Sequence, residues 1–397
     1  MTDPTPAFPA AAQSAQTREL PIRFVGSGSE YFRIWIVNLL LTLVTLGLYY
    51  PFAKVRRLRY FHGATEVAGA PLSFHGDPWK MFRGYVLVAL MLLVYSGAGH
   101  FSATAGAIAF VVLAAVWPAL WHSSMRFRLA NTGWRGLRFR YTGTRGGAYV
   151  VMAVPLGLAA LAVLGSVLLQ PDAAASAPGK ASVPAPSGVA LLLAVLPGLA
   201  LPLLLPLFFW LIRRLQHSNY ALGPERTRFS ASLGSFYGLG FKAIGVSLLA
   251  ILAVSLAVVV VAALMGAFQD TKAGAVVVAA VGIVVAYPLL FALAGGYWTA
   301  RLQNLAWGRT ASDRLRFTST LRARSLAALW FKNILLVLLT LGLYFPFAQV
   351  ASARLRLQAV TVLSDVDPDE LAASAGRADE TAVGDAAGDL LGFDIGL

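Results

Sequence analysis

Two apolar blocks, one near each end of the chain, carry the same polar side chains. In the first block Asn38, Thr42 and Thr45 are spaced i, i+4 and i+7, so a helix places them on one face. Within a membrane such side chains either bond across helices and back to the backbone, or line a polar path for a solute. Both interpretations stay open. The candidate solute-binding residues of the two blocks are Asn38, Thr42, Thr45, Gly47, Pro51, Asn333, Thr340, Gly342 and Pro346.

The glycine and proline in each block mark a break in the helix. Gly47 is followed by Pro51, and Gly342 by Pro346. Broken helices at matching positions of two repeats form the binding sites of many transporters. The alternative is a helix end at the membrane surface, with neighbouring tyrosines as aromatic anchors.

A second candidate site consists of arginines beside the membrane segments. Basic residues next to a bilayer contribute about 1 kcal/mol each toward binding an anionic lipid surface. The alternative role is topology signalling alone, because positive charge is retained on the cytoplasmic side. The candidate lipid head-group residues are Arg56, Arg57, Arg59, Arg135, Arg138 and Arg140.

Other chemistry is disfavoured. The sequence has no cysteine, which excludes disulfides and thiolate metal sites. The five histidines lack metal-ligand spacing, and no catalytic triad order or phosphate-binding loop occurs. We therefore predict a protein that is not an enzyme and uses no metal or cofactor. The net charge of +14 is explained by cytoplasmic loops, so we expect the lipid bilayer, and no nucleic acid, as partner.

Composition predicts a polytopic membrane protein. The chain is 58% hydrophobic and only 13% charged, whereas soluble domains are about 25% charged. No Asp or Glu lies deep in a predicted span, which argues against an ion-coupled carrier. The fold class is an all-α helical bundle with six full spans at Phe82–Gly97, Thr104–Trp121, Ala148–Leu169, Gly188–Ile212, Ala243–Gly266 and Gly274–Tyr297.

The spacing of basic clusters predicts five related modules. Each module begins with a short pair such as Arg23-Phe24 and ends in an arginine such as Arg59. Alternating residues around Gly133–Gly136 predict small cytoplasmic β-hairpins between modules, which can pair into one sheet beneath the membrane part. The alternative is irregular basic loops. The membrane domain is expected over residues 22–360, after a disordered segment 1–21 and before an acidic flexible tail 361–397. We expect this acidic tail to fold back onto the basic clusters.

The two apolar blocks leave the number of spans open. If both ends of every module are cytoplasmic, the single apolar segments of the first and last modules cannot cross the membrane. They are then short re-entrant segments, and the protein has six full spans. The alternative is eight full spans, which exports the acidic tail. The first arrangement is favoured.

The block from Asn38 to Tyr60, with its Thr-Leu-Gly-Leu-Tyr core, resembles the hallmark of the YjgN family, a bacterial domain of unknown function 898. The segments Phe24–Arg33 and Gly392–Leu397 are also similar to this family, so the resemblance runs from about residue 22 to the end. It implies a multi-pass protein of the bacterial inner membrane and supplies no reaction. The second block departs from the first where Gln349 replaces Lys54.

Two functions fit these patterns. The first is transport or permeation of a small solute, anionic or neutral, near the duplicated blocks. The alternative is a non-transport scaffold or anionic-lipid-binding protein.

Overall fold

A computed structural model of the chain describes residues 17–169, 187–264 and 272–374. In these residues ten long helices follow one another as five pairs. The pairs are α1 Gly28–Val44 with α2 Tyr50–Gly63, α3 Pro78–Phe101 with α4 Ala103–Ala130, α5 Arg145–Leu168 with α6 Gly188–His217, α7 Leu233–Leu264 with α8 Lys272–Gly308, and α9 Ala323–Leu339 with α10 Phe345–Leu357.

Polar caps set where several of these helices begin. A side-chain oxygen at the first position accepts a backbone N–H from the first turn, which satisfies a donor that the helix itself leaves unpaired. This arrangement begins α1, α3, α4, α5 and α6, where the caps are Ser27, Asp77, Ser102, Thr144 and Ser187.

Helices α3 to α8 are each long and apolar enough to cross a membrane, which confirms the six predicted spans. The other four helices are shorter. The longest of them, α1 and α9, have 17 residues, or about 25 Å, which is less than the ~30 Å thickness of a hydrocarbon core. We call the pairs α1–α2 and α9–α10 the terminal hairpins.

Short strands join the helix pairs. They are β1 Arg18–Phe24, β2 Thr65–Val67, β3 Ala70–Phe74, β4 Thr132–Trp134, β5 Leu137–Tyr141, β6 Tyr220–Leu222, β7 Glu225–Arg226, β8 Arg228–Phe229, β9 Thr310–Ala311, β10 Leu315–Ser319 and β11 Val360–Ser364.

All eleven strands belong to one sheet, in the order β7-β6-β5-β4-β3-β2-β1-β11-β10-β9-β8. The hairpins predicted between the modules therefore pair into one sheet, and the fold is mostly helical but not all-α. An isolated hairpin exposes two unpaired edges, and here each edge pairs with the next hairpin. The terminal strands β7 and β8 are separated only by Thr227, so the sheet curls into a nearly closed ring.

Each helix pair leaves the sheet and returns to it. The strands that flank a pair are hydrogen-bonded to each other: β1 with β2, β3 with β4, β5 with β6, β8 with β9, and β10 with β11. The helices form a second ring, because the main helix contacts join neighbours in the chain and α1 packs against α10.

Described strands and core residues lie on both sides of the range 22–360. Strand β1 begins at Arg18, which pairs with Ser364 of β11, and Leu371 is 2% exposed in the core of the sheet. Residues 18–21 and 361–374 therefore belong to the fold, although acidic residues near the second segment suggested a tail. The rest of the segments 1–21 and 361–397 lies outside the described residues.

Candidate functional site: the inner ends of the helix ring

The paired asparagines of the two apolar blocks are buried at equivalent places in the terminal hairpins. Asn38 is 7% exposed and Asn333 is 4% exposed. Asn333 Nδ2 donates to the carbonyl of Ala348 on the facing helix at 3.4 Å. The Oδ1 atoms of both asparagines are buried without a hydrogen-bond partner. Each hairpin therefore holds one polar atom able to accept a hydrogen bond from a solute or a water.

The threonines of these blocks bond within their own hairpins. Thr42 Oγ1 donates to the carbonyl of Asn38 at 2.6 Å. Thr45 Oγ1 donates to its own helix and accepts the backbone N–H of Tyr49 at 3.0 Å, and Thr340 accepts that of Tyr344 at 2.9 Å. These contacts close the turns at the hairpin tips. Solute binding by the threonines stays a prediction.

Glycine and proline complete the same turns. Gly47 and Gly342 have φ angles of +92° and +94°, a left-handed conformation that costs other residues about 1–2 kcal/mol. Pro51 and Pro346 lie in the first turn of α2 and α10, where a proline N is not required as a donor. The predicted helix break is therefore a tight reversal of the chain at the tip of each terminal hairpin.

Five matching contacts hold neighbouring helix pairs together near the sheet. In each, a side chain from one pair approaches the backbone carbonyl just before the next pair. The contacts are Arg59 to Gly76 at 3.2 Å, His122 to Gly143 at 2.7 Å, Trp210 to Ala231 at 2.9 Å, Asn304 to Leu321 at 2.9 Å and Arg354 to Gly26 at 2.7 Å. Every module was predicted to end in an arginine, and among the described residues Arg59 and Arg354 are the arginines that make this contact.

A second contact recurs within each helix pair. The backbone N–H that follows the leading strand donates to the carbonyl at the end of the second helix, at 2.8–3.0 Å. The five bonds are Val25 to Ala64, His75 to Asn131, Thr142 to Asn219, Ser230 to Arg309 and Thr320 to Ala359.

Five basic side chains on the second helices of four pairs interact electrostatically, from Lys54 in the first half of α2 to Arg128, Arg213 and Arg356 near the sheet ends of their helices. We call Lys54, Arg57, Arg128, Arg213 and Arg356 the inner basic cluster. Desolvation, then the charges of Arg128 and Arg57, lower the pKa of Lys54. Desolvation and the charge of Arg213 lower the pKa of Arg356. These electrostatic couplings join residues that lie far apart in the sequence.

The position of Tyr220 indicates that this cluster lies on the side of the sheet that faces its core. It is two residues before Leu222, which packs in the core of the sheet, and alternate strand residues face the same side. Burial raises the pKa of the Tyr220 phenol, while Arg213 and Arg128 act in the opposite direction. Tyr220 therefore lies near both guanidinium groups, at the floor of the helix ring.

In the described part of the chain no carboxylate pairs with the inner basic cluster. Arg213 Nη1 donates to Gln216 at 3.3 Å, and its buried Nε has no partner. Arg356 Nε donates to Gln303 at 3.0 Å. The side chains of Arg128 and Arg356 remain exposed. The cluster is thus an uncompensated positive site bordering open space, suited to an anion. Of these five residues, the predicted lipid head-group site included Arg57, whereas Lys54, Arg128, Arg213 and Arg356 were outside it.

The predicted lipid-binding arginines do not form one surface. Arg56 stacks on Tyr49, with 5.6 Å from the guanidinium carbon to the ring centre. Arg57 belongs to the inner basic cluster, and Arg59 bonds to Gly76. Arg135 lies in the turn between β4 and β5, whereas Arg138 and Arg140 lie on β5, and Arg140 donates to the carbonyl of Gly223 at 3.4 Å. Binding of lipid by these six stays a prediction.

The described part of the tail closes the sheet. Residues 365–374, which we call the C-terminal segment, bring Leu371 against Leu20, Trp134 and other core residues. Asp367 pairs with Arg18, and Asp369 pairs with Arg135. The acidic segment therefore contacts one of the basic clusters, as the sequence predicted.

Comparison with known proteins is consistent with this architecture. The profile of a bacterial protein family of unknown function, DUF898, matches residues 19–390. Inner membrane protein YjgN of Salmonella typhimurium is 29% identical over 119 residues, 30% of each chain. YjgN of Escherichia coli K12 is 38% identical over 72 residues, 18% of this chain and 17% of the relative. YjgN of Escherichia coli O157:H7 is 26% identical over 142 residues, 34% of this chain and 36% of the relative.

These alignments span about a third or less of the length of each YjgN protein. No solved structure matches the chain. The match to the family covers nearly the whole fold, from β1 past the last helix, and the relatives are named as inner-membrane proteins. The chain is a multi-pass protein of the inner membrane and belongs to the DUF898 family, in which the YjgN proteins are its relatives.

Proposed function

We propose that this protein is a membrane conduit for a small solute and that its five helix pairs are related modules. The observation that supports the proposal is the closed ring of helices. Because each helix packs mainly on its chain neighbours and α1 packs on α10, the ring surrounds an axis that none of these ten helices occupies. Such an axis is a natural path for a solute, and the sheet forms its floor.

We place the sheet on the cytoplasmic side and let the terminal hairpins re-enter the membrane from there. The basic residues concentrate at the sheet end of the helices, as the positive-inside rule requires. Leu46 and Leu341 at the hairpin tips are 93% and 94% exposed, which suits contact with lipid. Both hairpins begin and end at the sheet, so this arrangement needs no further crossing.

The module repeat is supported by two recurring contacts. Five backbone bonds close the individual helix pairs, and five side-chain contacts link each pair to the next. A repeat built in this way has quasi-equivalent interfaces around one axis. The two apolar blocks are then the first and last modules, which meet where α1 packs against α10.

Flux through reconstituted vesicles tests the conduit. The full chain in liposomes is expected to speed the passage of at least one probe among glycerol, inorganic phosphate and a fluorescent short-chain lipid. The double variant Asn38→Ala and Asn333→Ala is expected to lower that flux, because it removes both unpaired amide oxygens. Ser166→Ala is the matched control, since Ser166 bonds only to its own helix. Rates equal to those of protein-free vesicles for every probe contradict the conduit and favour the scaffold.

A further inference from the structure

The helix ring has a basic floor and an apolar wall. Between Arg83 and Arg126, which covers most of α3 and α4, the sequence has no Asp, Glu, Lys or Arg. The same holds for the described residues from Ala243 to Leu264 of α7. Whichever faces of these helices line the axis, the wall carries no charge. An ion that has lost its water gains little stabilisation from such a wall, whereas an acyl chain packs favourably against it.

The wall is lower on one side of the ring. The terminal hairpins are adjacent there, because α1 packs against α10. Their longest helices have 17 residues, about 25 Å, whereas α3 and α4 have 24 and 28 residues, about 36–42 Å. Above the exposed tips at Leu46 and Leu341 the ring therefore opens sideways to the bilayer.

The floor beneath this opening is the inner basic cluster. It contributes cationic groups from α2, α4, α6 and α10, with no carboxylate partner among the described residues, and a buried Arg213 Nε that lacks an acceptor. Guanidinium groups bind phosphate oxygens through directed, charge-assisted hydrogen bonds. An anionic head group bound at this cluster supplies the hydrogen-bond acceptor that Arg213 Nε lacks.

We propose that the inner basic cluster binds the phosphate head of an anionic membrane amphiphile, which enters through the gap above the terminal hairpins and lays its chain along the apolar wall. This inference rests on the proposed conduit and names its substrate class. The phosphate chemistry is shared by lipid head groups and free phosphate, and the apolar wall and the lateral gap favour the lipid.

Equilibrium binding to the full chain in a neutral detergent tests this inference. The probe is a fluorescent short-chain phosphatidate, and the competitors are unlabelled phosphatidate, phosphatidylcholine of equal chain length and inorganic phosphate. We expect phosphatidate to compete at a concentration at least about tenfold below that of either other compound. Equal competition by inorganic phosphate would identify a free-anion site and overturn the lipid assignment.

Charge variants locate the site. Lys54→Gln, Arg213→Gln and Arg356→Gln combined are expected to weaken phosphatidate binding about tenfold or more. A matched triple variant, Arg145→Gln, Arg322→Gln and Arg324→Gln, removes the same charge from exposed positions and is expected to bind as the wild type does. Equal weakening in both variants indicates general surface charge and contradicts the site.

A folding defect is separated from a binding defect by Arg128→Gln. Its side chain is exposed, so the change keeps the core intact, and it is expected to weaken binding by itself. Unchanged binding in this variant and in the triple cluster variant overturns the proposal. Intact phosphatidate binding without flux in vesicles refutes the conduit while leaving the binding site in place, so the two failures are distinguishable.

Discussion

Arg354 Nη2 donates to the backbone carbonyl of Gly26 at 2.7 Å, although the two residues lie at opposite ends of the folded chain. This bond joins the last helix to the loop before the first helix. The backbone pairing of Arg18 with Ser364 joins the terminal strands in the same way. The first and last of the ten helices, and the strands β1 and β11, therefore meet at one place, whereas the gap in the sheet ring lies between β7 and β8.

Arg354→Gln is expected to weaken this closure. The substitution removes a charged donor from a carbonyl, which costs about 1.5–3 kcal/mol when the pair is shielded and less here, because the arginine is exposed. Thermal unfolding in detergent measures the change in stability. Arg324→Gln is the control, since this exposed arginine lies in the same module. Equal melting temperatures of the two variants contradict a closing role for Arg354.

Gly342→Ala is expected to destabilise the second terminal hairpin by about 1–2 kcal/mol, because the residue has a φ of +94°. An added Cβ meets no atom within 4 Å, so the cost is conformational and not steric. Gly245→Ala within α7 is the matched control and also meets no atom. There alanine is expected to be neutral or stabilising. Comparison of unfolding temperatures checks the difference, and a stable Gly342→Ala variant argues against the turn.

Glu225 closes the seam of the sheet between β7 and the hairpin of β9 and β10. Its side chain is 7% exposed and accepts the hydroxyl of Ser312 at 2.7 Å, and Arg314 Nε lies 3.6 Å away. Glu225→Gln is expected to cost about 1–3 kcal/mol of stability. Glu19→Gln on exposed β1 is the control. Protection of backbone amides of β7 and β9 from hydrogen exchange is expected to fall in the first variant only.

Docking of the C-terminal segment is expected to depend on pH. The pKa of Asp367 is lowered, first by the backbone N–H of Asp369 and further by Arg18. Because the pKa is lowered in the folded protein, the ionised carboxylate stabilises the docked segment at pH values above the ordinary pKa of 3.8. This contribution is lost as the pH falls through the lower folded value.

A fluorophore on a single cysteine at Glu370 reports this release during acid titration, because the native chain has no cysteine. Asp367→Asn is the control and is expected to lack the acid-dependent transition. An identical transition in both proteins assigns the effect to another group.

The six-span topology predicts a labelling pattern for single cysteines. A cysteine replacing the exposed Phe101, at the α3–α4 connection, is expected to react with an impermeant reagent in intact cells. Cysteines replacing Thr142 and Glu370, near the sheet, are expected to react only after permeabilisation. Labelling of Glu370→Cys in intact cells supports eight spans instead.

Much of the membrane architecture could be predicted from the sequence because it depends on local composition. The six helices able to cross a membrane follow from long apolar stretches, and the placement of arginines predicts which of their ends face the cytoplasm. The paired blocks around Asn38 and Asn333 were visible as a repeat. Gly47 and Pro51 predicted a break in the helix. That the break is a tight hairpin, closed by the bond from the Tyr49 N–H to Thr45 Oγ1, is seen only in the structure.

The candidate site could be predicted only in part. The sequence predicted a lipid head-group site at Arg56, Arg57, Arg59, Arg135, Arg138 and Arg140, and the last three lie in the turn and strand that follow β4, away from α2 in the chain. Arg213 and Arg356 come from other modules, and nothing in their local sequence distinguishes them from arginines that signal topology.

The sequence by itself determined which segments are apolar enough to enter the membrane, because that property is a sum over neighbouring residues. Only the tertiary structure decided that the strands join into one sheet, that Arg354 of α10 meets Gly26 before α1, and that cations from four helices interact with one another. Those features depend on contacts between residues far apart in the chain, whose free energy appears only when the ring closes.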